Sequence, residues 1–326
     1  MTETTSTGLV QQFIRQTERL YSLPAVAMEA LRLASEPHVD AVALKQCIER
    51  DPALTARILR VVNSSLFAAS RQVTDLNQAL SLLGTRPLKM LVLGFSLPKE
   101  LFTGIEADVL ARYWRRTLTK AAAARELAQR LWRLSGDDAF TAGLVQDIGV
   151  LVLVQQLGEP YLHLLDHVQV HGGNLLEREL DSLGFDHRVL GARLLAHWGL
   201  PAGLCAAVAV PPNLERVEAL EPADRTLPQI LHLAELLARM LEQPYGTALR
   251  DLLAAGAKYR GLTYEGLRPI VAVLQRQVTE LADVLSLELP EQQSYADLLI
   301  AAQERLANET ACATAELLSA DPEAEL

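Results

Sequence analysis

Apolar positions recur along the chain at three- and four-residue spacing, and polar or glycine-containing clusters punctuate them. Ser22-Leu23-Pro24 opens a segment with Val26, Ala30, Leu33 and Ala34 on one side, and Asp40 precedes the next. Asp51-Pro52 reads as an N-cap followed by proline at the first helical position, where a missing N–H costs nothing. That helix stops at Asn63-Ser64-Ser65, and Asp75 caps another that ends at Leu83-Gly84. Further helices are predicted at 88–97, at 109–134, from Asp137 as a cap to about Gln156, and at 162–171, 175–183 and 187–198. Beyond a break at Val210-Pro211-Pro212-Asn213, helices are predicted at 228–242, 247–257, 263–285 and 294–318. No period-two strand with a hairpin turn is evident, so the predicted fold is all-α.

Composition supports that reading and narrows the function classes. The chain has 326 residues, half of them hydrophobic, and it is rich in the helix formers Leu and Ala. Thirty basic residues against forty acidic ones give a formal net charge of −10. That balance argues against nucleic acid as a partner and against electrostatic docking on an anionic membrane. Cys47, Cys205 and Cys312 are isolated, with no Cys-x-x-Cys pair, which predicts reduced thiols rather than a disulfide frame or a zinc cage. The first ten residues lack a signal-peptide pattern, and the runs at 88–98 and 148–157 are short for a bilayer span. The expectation is a soluble, cytoplasmic protein.

The segment from Asp138 to Gly149 carries the chemistry. Phe140, Leu144, Asp147, Leu151 and Val154 share one helix face, which sets Asp147 on an apolar stripe. An ionised carboxylate there needs a cation. The words Ala142-Gly143-Leu144-Val145-Gln146-Asp147-Ile148-Gly149 resemble the A-G-L-x-H-D-I-G region of HD-type metal-dependent phosphohydrolases. Together with Ser22 to Ala27, Asp51 to Ser64, Gln78 to Gly84, Tyr113 to Thr117, Asp186 to Ala192 and Trp198 to Pro201, the chain resembles the HDOD group, HD-related output domains of bacterial signalling proteins.

The resemblance implies an HD-like multi-helix domain over 13–211, with an N-terminal helical part at 13–105 and an HD-like part at 106–211. A flexible N-terminus at 1–12 precedes it. A helical extension at 212–290 and a connector helix with an acidic tail at 291–326 follow. It also implies that the metal set is degenerate. HD enzymes hold a divalent cation with an upstream histidine, the His-Asp pair and a downstream Asp; here Arg116 and Gln146 stand at the histidine positions, and only Asp147 is kept. The relic pocket is therefore Arg116, Gln146 and Asp147, with no catalytic residue, no metal and no cofactor expected. Arg116 is expected either to pair with Asp147 in place of the metal, or to share a solvated face with Arg112, Arg115 and Lys120.

Other candidates carry less. Asp186 is a natural N-cap, which gives His187 a surface or capping role. His163, His167 and His171 line one helix face and read as solvated, and His197 and His232 have no visible partners. No nucleophile elbow and no phosphate loop is present. The functional expectation is a non-enzymatic regulatory module that acts through protein partners, in a cyclic-di-GMP-linked or two-component setting, with a cyclic-di-GMP output domain as one such partner. The alternatives are a sensor that binds a nucleotide in the vacated pocket and a metal-dependent phosphohydrolase. The helix from Ser294 is expected to mediate self-association or contact with an output partner.

Overall fold

The computed structural model describes residues 13, 15, 17, 21–34, 39–67, 71–171 and 173–319. The flexible N-terminus expected at 1–12 and the acidic tail at 321–326 lie outside the described residues. Among those residues every regular element is helical. In chain order the α-helices are α1 (Ala25–Leu33), α2 (Ala41–Glu49), α3 (Pro52–Val62), α4 (Leu76–Leu83), α5 (Thr85–Phe95) and α6 (Ala107–Leu127). There follow α7 (Asp137–Val145), α8 (Ile148–Leu157), α9 (Glu159–His171), α10 (Leu175–Leu183), α11 (His187–His197) and α12 (Ala202–Ala209). The last five are α13 (Leu214–Glu218), α14 (Thr226–Glu242), α15 (Ala248–Arg260), α16 (Tyr264–Leu285) and α17 (Tyr295–Ser319).

Most of the predicted caps form. Asp40, Asp51, Asp75 and Asp186 each accept hydrogen bonds from backbone N–H groups of the first helical turn, and Gly84 ends α4 at φ +84°. Asp137 does not cap: Gly136, at φ +82°, takes that position, and the Asp137 carboxylate pairs with Arg125 instead. The helix predicted from Asp137 to Gln156 is two helices broken at Gln146–Asp147. The helix predicted at 109–134 ends its α-helical part at Leu127 and continues as a π-turn, Ala128–Trp132.

Helix α6 is the axis of the fold. It packs on α7, α14 and α16, so every residue from Thr117 to Leu127 is buried. The run Ala121–Ala124 gives small apolar surface on every side, but the same buried stretch carries Lys120, Arg125 and Glu126, which must therefore find polar partners inside the fold. α11 packs against α8 and α12, and the α1–α5 layer packs on the rest through α5 on α7 and α3 on α16, with hydrogen bonds beside that packing. Trp198 donates from Nε1 to the Tyr21 carbonyl at 2.9 Å, and the Ser65 N–H donates to Glu280 at 2.7 Å. Arg125 donates from Nε to the Leu66 carbonyl at 3.1 Å and stacks over the Phe67 ring at 4.1 Å.

Two glycines set the approach of α7 and α8 to their neighbours. A Cβ on Gly143 would stand 2.8 Å from Ala121 Cα, and one on Gly149 would stand 1.9 Å from the His187 carbonyl oxygen. Their missing side chains let α7 sit on the α6 backbone and α8 on the start of α11. Asp147, between the two glycines, is thereby pinned between Lys120 and His187. The stretch Asp137–Leu157 is long and apolar enough to cross a membrane by composition, but 78% of its apolar window is buried inside the fold. Substituting Gly149→Ala should cost at least ~1–3 kcal/mol in urea denaturation, because backbone must move to admit the methyl. An unchanged midpoint would show that the α8–α11 approach is looser than described.

Candidate functional site

The relic pocket is filled by an ionic network rather than by one arginine–aspartate pair. Lys120, one helical turn beyond Arg116 on α6, donates from Nζ to Asp147 Oδ2 at 2.5 Å and also pairs with Glu235 Oε2. Its side chain is 2% exposed and that of Asp147 is 5% exposed. Both halves of the expectation for Arg116 are corrected. It belongs to the pocket, but its partners are Glu235, at 2.5 Å from Nη2, and Glu242, not Asp147. It retains 34% exposure because it sits at the rim, whereas Lys120, which shared its predicted solvated face, is buried inside. The reason is geometric: α14 covers this side of α6 and, from one face, brings Glu235 against both cations and Glu242, seven residues on, against Arg116.

Gln146 occupies the place the resemblance gives to a metal-bound histidine, and its carbonyl faces a cation. Arg188 Nη2 donates to Gln146 Oε1 at 2.9 Å and lies 3.8 Å from Glu235 Oε2. Its Nη1 donates to the carbonyls of Val210, at 3.1 Å, and Val208, at 3.4 Å. Gln146 Nε2 reaches back to the Gly143 carbonyl at 3.3 Å. A glutamine cannot change its charge, so this end of the pocket is a fixed hydrogen-bonded strut.

His187 is buried, which corrects its expected surface role. Its Nδ1 lies 2.8 Å from Glu179 Oε2, its backbone N–H donates to the same oxygen at 2.8 Å, and Tyr161 donates to Glu179 from the other side. Its Nε2 faces Asp147 Oδ1 at 3.7 Å, an oxygen that makes no hydrogen bond. Burial alone pulls the imidazolium down, but the carboxylates of Glu179 and Asp147 overcome that and push it up to about 9. Burial likewise opposes ionisation of Asp147, yet Lys120 first and then His187 hold its carboxyl well below the usual range. Glu235 is held low by Arg116 and Lys120 against the same burial penalty.

The network is charge-balanced. Four cationic side chains, Arg116, Lys120, His187 and Arg188, face four carboxylates, Asp147, Glu179, Glu235 and Glu242. Glu179, Arg188, Glu235 and Glu242 are not among the candidate site residues the sequence offers. A carboxylate, Glu235, among the apolar positions of Ile230–Ala238, and the cation Arg188 in the first turn of α11, were the available signals. His232 also has a partner: its Nδ1 lies 2.9 Å from the Tyr259 hydroxyl, and burial pulls the ring down to about 4. His163 stays exposed, beside Glu159 at 3.8 Å.

A divalent cation does not fit this donor set. The Lys120 ammonium stands between the two carboxylates that would have to converge on a metal, and Gln146 is turned to Arg188. Among the described residues, no three His, Cys, Asp or Glu side chains come together as a ligand set.

The fold and site define an all-helical domain of HD-like design whose central pocket is closed by internal ion pairs. The HDOD domain family matches residues 20–213, more than half of the chain, and the chain belongs to that family. A protein provisionally named a phosphohydrolase, from Shewanella amazonensis SB2B, has the same fold (24% identity, 84% of this chain and 97% of that one, TM-score 0.64). So does one provisionally named a signal transduction protein, from Marinobacter aquaeolei VT8 (21% identity, 87% of this chain and 66% of that one, TM-score 0.61). An uncharacterized protein of Treponema pallidum (strain Nichols) is 25% identical over 262 residues, 77% of this chain and 49% of that protein. The chain thus spans about half the length of that curated relative.

Two outcomes test the site. Lys120→Ala should cost about 3–5 kcal/mol, because it leaves buried carboxylates without their ammonium, while Arg116→Ala at the half-open rim should cost about 1 kcal/mol. Urea denaturation of both variants checks the order; equal costs would place the decisive cation wrongly. The folded pKa of His187 lies above its unfolded value of about 6.5. Its contribution is therefore fully present below pH ~6.5 and is lost as pH rises through about 9. The alkaline loss, on the order of 3 kcal/mol, should be absent from His187→Gln. An identical pH dependence in that variant would contradict the assignment.

Proposed function

We propose that this HDOD protein is a non-catalytic signal-transduction module that acts through protein partners. The observation that carries the reading is the Lys120 ammonium held between Asp147 and Glu235, where an HD enzyme would need an open metal. A catalytic metal keeps a coordination position for water or substrate. A lysine held by two carboxylates in a buried site offers neither that position nor a Lewis acid. The ion pairs join α6, α8, α11 and α14, so the arrangement suits a domain that holds or transmits a conformation. The name of the Marinobacter aquaeolei relative, a signal transduction protein, agrees with a regulatory role. The name of the Shewanella amazonensis relative supplies the competing reading, metal-dependent phosphohydrolysis.

The partner surface in this proposal includes α17. Its first turns are anchored by buried Tyr295, Leu298, Leu299 and Ala302, while Glu304, Arg305 and 307–312 are exposed. The partner belongs to a two-component or cyclic-di-GMP-linked pathway in this reading.

The test is metal analysis and phosphohydrolase assay of protein loaded with Mn2+, Fe2+ or Mg2+, together with affinity capture of partners from the native cell. The expected result is no stoichiometric metal, no turnover of phosphomonoesters or cyclic dinucleotides, and a specific protein partner. Stoichiometric metal with turnover would replace this proposal with the phosphohydrolase reading.

A further inference from the structure

We infer that residues 290–295 form a strap that couples the closed pocket to the C-terminal helix, so that releasing α14 from Arg116 also releases the base of α17. For its regulatory sense this coupling rests on the proposed role of α17 as a partner surface. α6 carries two neighbouring rows of polar side chains, set about 100° apart around the helix. Arg116 and Lys120 form the first row and hold Glu235 and Glu242 of α14. Arg115 and Thr119 form the second and hold the strap. Arg115 donates to the Pro290 carbonyl and to the Gln292 side-chain oxygen, and the Thr119 hydroxyl lies 3.0 Å from that of Tyr295.

The two rows meet at the last turn of α14. Gln292 Nε2 donates to the Leu241 carbonyl at 3.4 Å, one of the carbonyls that a helix end leaves without a donor of its own. Glu242, the next residue, pairs with Arg116. The same turn of α14 is thus held by the pocket on one side and by the strap on the other. The start of α17 is fixed as firmly. The Tyr295 N–H donates to Gln275 Oε1 of α16 at 3.1 Å, and Tyr295, Leu298, Leu299 and Ala302 are buried where α17 packs on α14, α15 and α16.

Beyond that base, 307–312 are exposed, so the outer part of α17 follows wherever its base is held. A partner that takes the exposed part and shifts the base pulls on Gln292 and, through Leu241 and Glu242, on Arg116. Linkage makes the effect reciprocal: whatever opens the Arg116 pairs loosens the base of α17 by the same free energy.

Hydrogen exchange of the full chain, read by mass spectrometry, tests the coupling without any partner. Arg116→Gln and Glu242→Gln each break a pair about one-third exposed that does not touch the strap. Both should speed exchange about fivefold in 237–243 and also in 295–302. Arg112→Gln removes exposed pairs with Asp108 and Asp166 one turn earlier on α6, and should leave 295–302 as in wild type. Arg115→Gln should in turn speed exchange at 237–243. Faster exchange confined to 237–243 in the Arg116 and Glu242 variants, an equal rise over all helices, or no change at all would overturn the inference. Such a result would leave the partner surface of α17 standing, whereas failure to capture a partner would remove the regulatory use and leave the coupling.

Discussion

A lysine ammonium with almost no access to water has to be matched by carboxylates, and that requirement organises this molecule. Lys120 meets Asp147 on one side and Glu235 on the other. The first pairing fixes the junction of α7 and α8 against α6, and the second fixes α14. Each removes a charge that the interior would otherwise expel. Ion pairs of this kind are modest contributors to net stability, because desolvation consumes most of their attraction. What they set is register. α14 meets α6 with Glu235 against Arg116 and Lys120 and Glu242 against Arg116, so a slide of α14 along α6 would part these pairs.

The same constraint separates this pocket from a metal-dependent one. A catalytic metal draws several neutral or anionic ligands together and keeps one position free. Here the positive charge is divided among four side chains, and each is covalently part of the fold. Gln146 can accept a hydrogen bond from Arg188 but cannot titrate, and Asp147 gives one oxygen to Lys120 while the other faces His187. The shape of the HD-like site is kept by the close approaches at Gly143 and Gly149, independently of what occupies it.

The helices and their ends were legible because periodic apolar positions and Asp caps are local signals. The all-α class followed from them, while the HDOD resemblance rested on the words around Asp147 and along the N-terminal helices. Asp147 was legible too, since a carboxylate on an apolar stripe announces a missing cation. Which cation was not: Arg116 and Lys120 are one turn apart, and the choice depends on α14, more than a hundred residues away. Glu235 could not be assigned to the pocket without knowing which face of α14 meets α6. His187 was misread because Asp186 explains it locally as a helix start, while its burial depends on Glu179 and on the approach of Gly149. The break at Asp147 was hidden by a continuous apolar run that fits one long helix equally well.

A double-mutant cycle between Lys120 and Asp147 tests the central claim most directly, with Lys120→Met, Asp147→Asn and the double variant compared by urea denaturation. If the pair is the buried junction described, the two substitutions are strongly non-additive, with a coupling energy of about 2–3 kcal/mol. Costs that add within about 0.5 kcal/mol would mean that Lys120 does not neutralise Asp147, and the account of the pocket would fail.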